Sequence, residues 1–202
     1  MAKTMTPSAV MTDGQIDKAV EVYRAMLKKH RSELGSKEVQ QILSRDDYVG
    51  EQVGVLRRCV EAVSDLIIRS VDVNRNRTPQ EALAATGRVQ YVDNDVVNSM
   101  PRGKGNTKKV VFFKESRFIS DDDLEKKYEL RGLVPVDPYS LAAVNEKDPA
   151  FADTHPNVTH WKDSNGKWCY AAFNLWDGKR NVNVHRNGHD WYGSWWFAGV
   201  SK

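Results

Sequence analysis

Residues 161–196, WKDSNGKWCYAAFNLWDGKRNVNVHRNGHDWYGSWW, contain all six tryptophans of this 202-residue chain, and the fold turns on how they are read. The pairs Asn165-Gly166, Asp177-Gly178 and Asn187-Gly188 interrupt the stretch. Taken as two-residue hairpin turns, they predict a four-stranded antiparallel β-meander. The first turn sets Trp161 opposite Tyr170 and Asp163 opposite Trp168. The second sets Trp176 opposite Lys179, Asn174 opposite Asn181, Ala172 opposite Asn183 and Tyr170 opposite His185. The third sets His185 opposite Asp190, Asn183 opposite Tyr192, Asn181 opposite Ser194 and Lys179 opposite Trp196.

Strand side chains alternate between faces, so all these pairs fall on one side of the sheet. The other side receives Val158, Cys169, Ala171, Phe173, Leu175, Val182, Val184, Trp191 and Trp195, an apolar set that reads as core. The paired side gathers Trp161, Trp168, Tyr170, Asn174, Trp176, Asn181, Asn183, His185, Tyr192 and Trp196 as candidate ligand-binding residues. Rings offer flat stacking surfaces, while amides and imidazole offer directional hydrogen bonds. That combination suits a planar or polyhydroxylated ligand. Single-stranded nucleic acid is the leading class, since a stacked base is typically worth about 1–3 kcal/mol. The alternative is an interaction module whose face docks a protein partner or a second copy of the chain, or packs on the chain's own helices.

Upstream, Thr12-Asp13-Gly14-Gln15 has the form of a capping box, and Ile16, Ala19, Val20, Tyr23, Met26 and Leu27 follow at helical spacing. Ser36 opens a short second helix through Val39, Ile42 and Leu43. Ser44 opens a third, whose apolar positions Val49, Val53, Leu56, Cys59, Val60, Val63, Leu66 and Ile67 run to about Ser70. The expected fold class is therefore α+β: a helical N-terminal bundle over residues 1–72, then a mixed region over 73–202 ending in the meander. The two parts are also compatible with one integrated domain. Within the mixed region, Thr78-Pro79-Gln80-Glu81, Ser120-Asp121 and Asp137-Pro138 signal helix starts, and Val89–Val92 and Val110–Phe113 read as strands.

Between those strands, residues 101–109 carry Arg102, Lys104, Lys108 and Lys109 with no acid, a solvated connector that could also grip phosphate. A net charge of +3 permits an anionic partner without demanding one. His155, His160, His185 and His189 lie close to Cys169 in sequence, but across a turn His185 and His189 point to opposite faces, so no metal or other cofactor is expected. His185, Asp190 and Ser194 form a weak hydrolase alternative, and no catalytic role is expected to dominate. Cys59 and Cys169 read as two buried thiols. No apolar run is long enough to cross a membrane and the opening residues lack a secretory core, so a cytoplasmic protein is expected.

Overall fold

The computed structural model describes residues 11–45, 47–62 and 66–202. Val63 and the first ten residues, both used in the sequence reading, lie outside these. The chain divides into two compact units, residues 1–64 and 65–202.

The first unit is helical. α1 (Asp13–Lys29) starts at the expected capping box, with Thr12 and Gln15 satisfying each other's backbone amides. A single 3₁₀ turn at Arg31–Glu33 leads to α2 (Ser36–Leu43) and α3 (Tyr48–Ala62). Ser44 closes α2 instead of opening α3, and its hydroxyl donates to the Gln40 carbonyl (2.8 Å). Among the described residues of this unit none is buried. Ile16, Val20, Tyr23, Leu27, Val53 and Leu56 all stand exposed, so the described residues of the expected bundle form helices but no core among themselves. Cys59 is likewise exposed, correcting its assignment to a buried helix face.

α3 ends at Ala62, well before Ser70, because the chain turns into a strand. β1 (Leu66–Asp72) buries Ile67 and Val71, and Val73 just beyond it is buried too. That two-residue alternation of branched side chains is a strand signal which the helical stripe had masked. The second unit continues with α4 (Pro79–Ala84), β2 (Val89–Val92), α5 (Asn94–Asn98), β3 (Thr107–Lys114), α6 (Asp121–Leu130), β4 (Leu133–Pro135), α7 (Pro138–Lys147) and α8 (Phe151–Thr154). β5 (Asn157–Lys162), β6 (Trp168–Trp176), β7 (Lys179–Arg186) and β8 (Trp196–Ser201) complete it. Thr78, Ser120 and Asp137 each cap the helix that follows, as expected.

The strands form one eight-stranded mixed sheet in the order β1-β3-β8-β5-β6-β7-β2, with β4 pairing β8 off that path. β5, β6 and β7 are an antiparallel meander of three strands. The fourth is a correction: β8 does not pair with β7 but sits between β3 and β5, parallel to β5. The edge of β7 is taken by β2 in parallel. Consequently the pairs proposed across Asn187-Gly188 do not exist.

The two true hairpins differ. At Asp177-Gly178 both residues adopt positive φ (51° and 68°), the type I′ geometry, and every predicted pair from Trp176↔Lys179 to Tyr170↔His185 is present. At the first hairpin, Gly166 (φ 72°) donates to the Asp163 carbonyl and Asp163 to the Lys167 carbonyl, both at 2.9 Å. This is a three-residue loop with a glycine bulge, braced by the Asp163 carboxylate accepting from the Asn165 and Lys167 amides. It shifts the register by one residue, placing Trp161 opposite Cys169 and His160 opposite Tyr170. Because the side-chain period is two, that shift turns β5 over.

One face of the sheet is packed by α4, α5, α7 and α8 around Phe112, Leu141, Phe151, Phe173 and Val182. The other is packed by α6 through Leu124 and Tyr128, with Ile119 and Trp191 closing over Phe113, Val158 and Phe197. Fully burying side chains of this size is worth roughly 1.5–3 kcal/mol each. α6 covers only part of its face.

Candidate ligand-binding face

The slip in β5 and the diversion of β8 redistribute the predicted platform. Trp161 (8% exposed) and Trp196 (9%) move to the helix-packed core, where the Trp161 indole donates to the Ser99 hydroxyl and Trp196 meets the His155 ring edge-on. Trp191 is buried as expected, but in the opposite core, and half-buried Trp195 packs beside it. Val158 joins that same core, and Leu175, predicted buried, is exposed. Tyr192 is exposed and meets the Phe118 ring at a tilt instead of crossing to Asn183. Among the described residues no hydrogen bond links His185, Asp190 and Ser194; their alignment depended on the hairpin that does not form.

What remains of the platform splits in two. The half nearest α6 is packed around His160, which is 2% exposed, and Trp168 and Asp121 line a second depression of about 460 Å³ beside it. Its Nδ1 lies 2.7 Å from Asp121 Oδ1, and its Nε2 lies 2.9 Å from Glu125 Oε1, within ion-pair distance but off the N–H axis. Trp168 stacks on the imidazole at 4.6 Å, and Lys162 sits over Trp168. Asp121 also accepts from the Trp191 indole (2.8 Å) and the Asn187 amide (2.7 Å). Burial alone would raise the Asp121 carboxyl, but those donors and the facing imidazole hold it below its ordinary value. Burial alone would lower His160, and the two carboxylates overrule it and raise it. Tyr170, half-buried under Trp191, has its phenol raised by burial, and His185 lies beside its ring. The sequence reading treated Asp121 only as an acid at a helix start. Its partners lie 39 to 70 positions away along the chain, beyond any local pattern.

The half toward the β2 edge is open. Asn174, Trp176, Asn181 and Asn183 line a shallow depression of about 410 Å³ together with Tyr91. Trp176 is 73% exposed, and Tyr91 is exposed as well. Asn174 stands directly across from Asn181, and Tyr91 across from Asn183. Asn183 Nδ2 donates to Asn174 Oδ1 at a long 3.5 Å. Asn181 forms the floor at 5% exposure, and its buried Oδ1 has no hydrogen-bond partner. An orphaned acceptor of this kind costs roughly 1–3 kcal/mol. Tyr91 was legible as part of a strand but not as part of this site, since a parallel neighbour so distant in sequence leaves no turn signal.

The open half is braced from behind. Buried Arg88, at the entry to β2, donates to the Asn174 carbonyl (3.1 Å), the Pro149 carbonyl (2.7 Å) and Asn145 Oδ1 (3.3 Å). Burial lowers this guanidinium below its ordinary value. The basic segment is not beside the depression. Arg102 donates to the carbonyls of Arg75 and Arg77 and covers the Tyr139 ring, so it serves the fold. Lys108 and Lys109 belong to β3 and not to a loop. β3 is four strand spacings from β7 in the sheet order, about 19 Å, and Lys104 precedes it in the exposed connector. Cys169 is buried and unpaired, with its thiol raised by burial. Among the described residues no group of three or more histidine, cysteine or acidic side chains could hold a metal, and no helix is long and apolar enough to cross a membrane.

No family model, curated protein or solved structure matches the chain.

Proposed function

We propose that the protein is a recognition protein, acting in the cytoplasm, whose open sheet half binds single-stranded nucleic acid. The observation that carries this reading is Trp176, a large ring left 73% exposed beside a row of three asparagines. A largely exposed ring offers a stacking surface every base can use, and amides supply edge hydrogen bonds. Lys179 lies directly across the hairpin from Trp176, where its ammonium would meet a flanking phosphate. It replaces Arg102 and the distant lysines 104, 108 and 109 in that role. Fluorescence anisotropy of labelled 12-residue single strands at low salt tests the reading. Binding that weakens with added salt and with Trp176→Ala is expected. No binding to any oligonucleotide removes it.

A further inference from the structure

We infer that two copies of the chain pair through α1, laid antiparallel, so that the uncovered stripe of one covers that of the other. Ile16, Ala19, Val20, Tyr23, Met26 and Leu27 recur at three-and-four spacing along α1, a stripe broad enough for a helix–helix seam. Apart from Ala19, each is 42–50% exposed, and neither α2 nor α3 shields them, since no described residue of this unit is buried. The hydroxyls of Tyr23 and Tyr48 meet at 2.5 Å, which brings the start of α3 to this stripe, and Val53, Leu56 and Val60 continue an exposed face along α3. A side chain of this size at half exposure still shows water roughly 30–60 Å² of apolar surface. Together α1 and α3 therefore offer about 250–500 Å² per copy, which matches the apolar share of the roughly 800 Å² that each partner gives to a stable interface.

Charge selects a second copy as the occupant and sets its direction. Asp13, Asp17 and Glu21 fall in the first half of α1, and Arg24, Lys28 and Lys29 in the second, which holds no acid. Lys18 and Glu21 pair with each other (2.9 Å), while among the described residues Asp13, Asp17, Arg24, Lys28 and Lys29 form no ion pair. Antiparallel helices set the acidic half of each against the basic half of the other, whereas parallel helices set like charges together. The alignment that faces Ile16 with Met26 also faces Ala19 with Tyr23, a small side chain opposite a large one, and a twofold axis repeats both contacts. A bilayer is the poorer fit, because Asp13, Asp17 and Glu21 would meet its anionic headgroups.

Sedimentation of the full chain, of 22.9 kDa, tests the pairing. At about 100 µM most of it is expected to sediment at twice that mass, since interfaces of this size reach micromolar affinity or tighter. Met26→Asp places a charge in the seam and should weaken dimerisation at least about tenfold. Its circular dichroism should match the parent's, because Met26 is exposed in the single chain. Direction is read by disulfide formation in a Cys59→Ser background. Ile16→Cys mixed with Met26→Cys should cross-link as a mixed pair. Neither should cross-link with itself, because its own copy lies about 15 Å away along the axis, beyond the roughly 7 Å reach of a disulfide. A chain that remains a monomer at this concentration overturns the proposal, whether a membrane, another protein or the rest of the chain covers the stripe. A dimer that survives in folded Met26→Asp removes α1 from the interface. Self-cross-linking of Ile16→Cys without the mixed product overturns the antiparallel arrangement. None of these outcomes bears on oligonucleotide binding, so the two readings fail separately.

Discussion

Over β5 and the first residues of β6, the sheet face lies under α6, and its polar groups are largely answered: His160 Nδ1 by Asp121, and Asp121 by the Trp191 indole and the Asn187 amide, while His160 Nε2 faces Glu125 at ion-pair distance without a hydrogen bond. Over the far end of β6 and across β7 and β2, among the described residues no helix covers the same face as α6 covers the other end, and Asn181 Oδ1 is unpaired while Trp176 stands exposed. Both halves are built from tryptophan, tyrosine, histidine and amide side chains. Residue type therefore does not separate a structural cluster from a binding surface. What separates them is whether the protein itself supplies the complementary donors and acceptors.

The largest effect that would sharpen this contrast is on the closed side. Asp121→Ala leaves His160, Trp191 and Asn187 without their acceptor, and urea unfolding should show a loss of about 3–5 kcal/mol. A loss below about 1 kcal/mol would mean that the cluster does not hold α6 to the sheet. On the open side, Trp176→Ala should leave unfolding within about 0.5 kcal/mol of the parent, as exposed substitutions do. Its cost should appear in oligonucleotide binding instead, at about 1–3 kcal/mol by anisotropy. A large loss of stability in that variant would break the contrast.

Asn181→Val should invert the usual cost of a core substitution. Replacing an orphaned amide by a β-branched apolar group should raise the unfolding free energy by about 1 kcal/mol, as read by urea unfolding. A destabilised variant would show that the amide is already satisfied.

The most gradual effect is with pH. His160 is raised in the folded state, so its contribution is complete below its ordinary value near 6.5 and is lost as pH rises through the raised value. Asp121 is lowered, so its contribution is present above the ordinary carboxylate value and is lost as pH falls through the folded one. Melting temperature should therefore peak between these limits and decline on the alkaline side. His160→Gln should remove that alkaline decline, and an unchanged profile in this variant would assign the decline elsewhere.

Legibility in the sequence followed locality. Asp177-Gly178 set its turn type and a complete register, since both residues readily accept positive φ. Asn165-Gly166 carried a competing signal, because Asp163-Ser164-Asn165-Gly166 is also a type I turn with aspartate first and glycine fourth. Choosing the shorter turn cost one residue of register and put Trp161 on the wrong face. Asn187-Gly188 looked equivalent to the other two, yet the apolar run Trp196–Val200 is that of a strand buried on both sides, which favours the sheet centre over an edge beside β7. Of the candidate site, Asn174, Trp176, Asn181 and Asn183 were found because they belong to one hairpin. Tyr91 was missed because it arrives from elsewhere.

By itself the sequence determined the local elements: the capped helices, the strand periodicities, the type I′ hairpin and the amphipathic stripes of α1 to α3. These depend on backbone preference and side-chain spacing within a few residues. Only the tertiary structure decided which stripe or face is covered. Amphipathicity says that a surface favours burial without saying what buries it, as the exposed N-terminal helices show. The placement of α6 over His160 but not over the hairpin end of β6 and β7 rests on contacts between distant residues, and it buries one end of the face while leaving Trp176 at the other exposed.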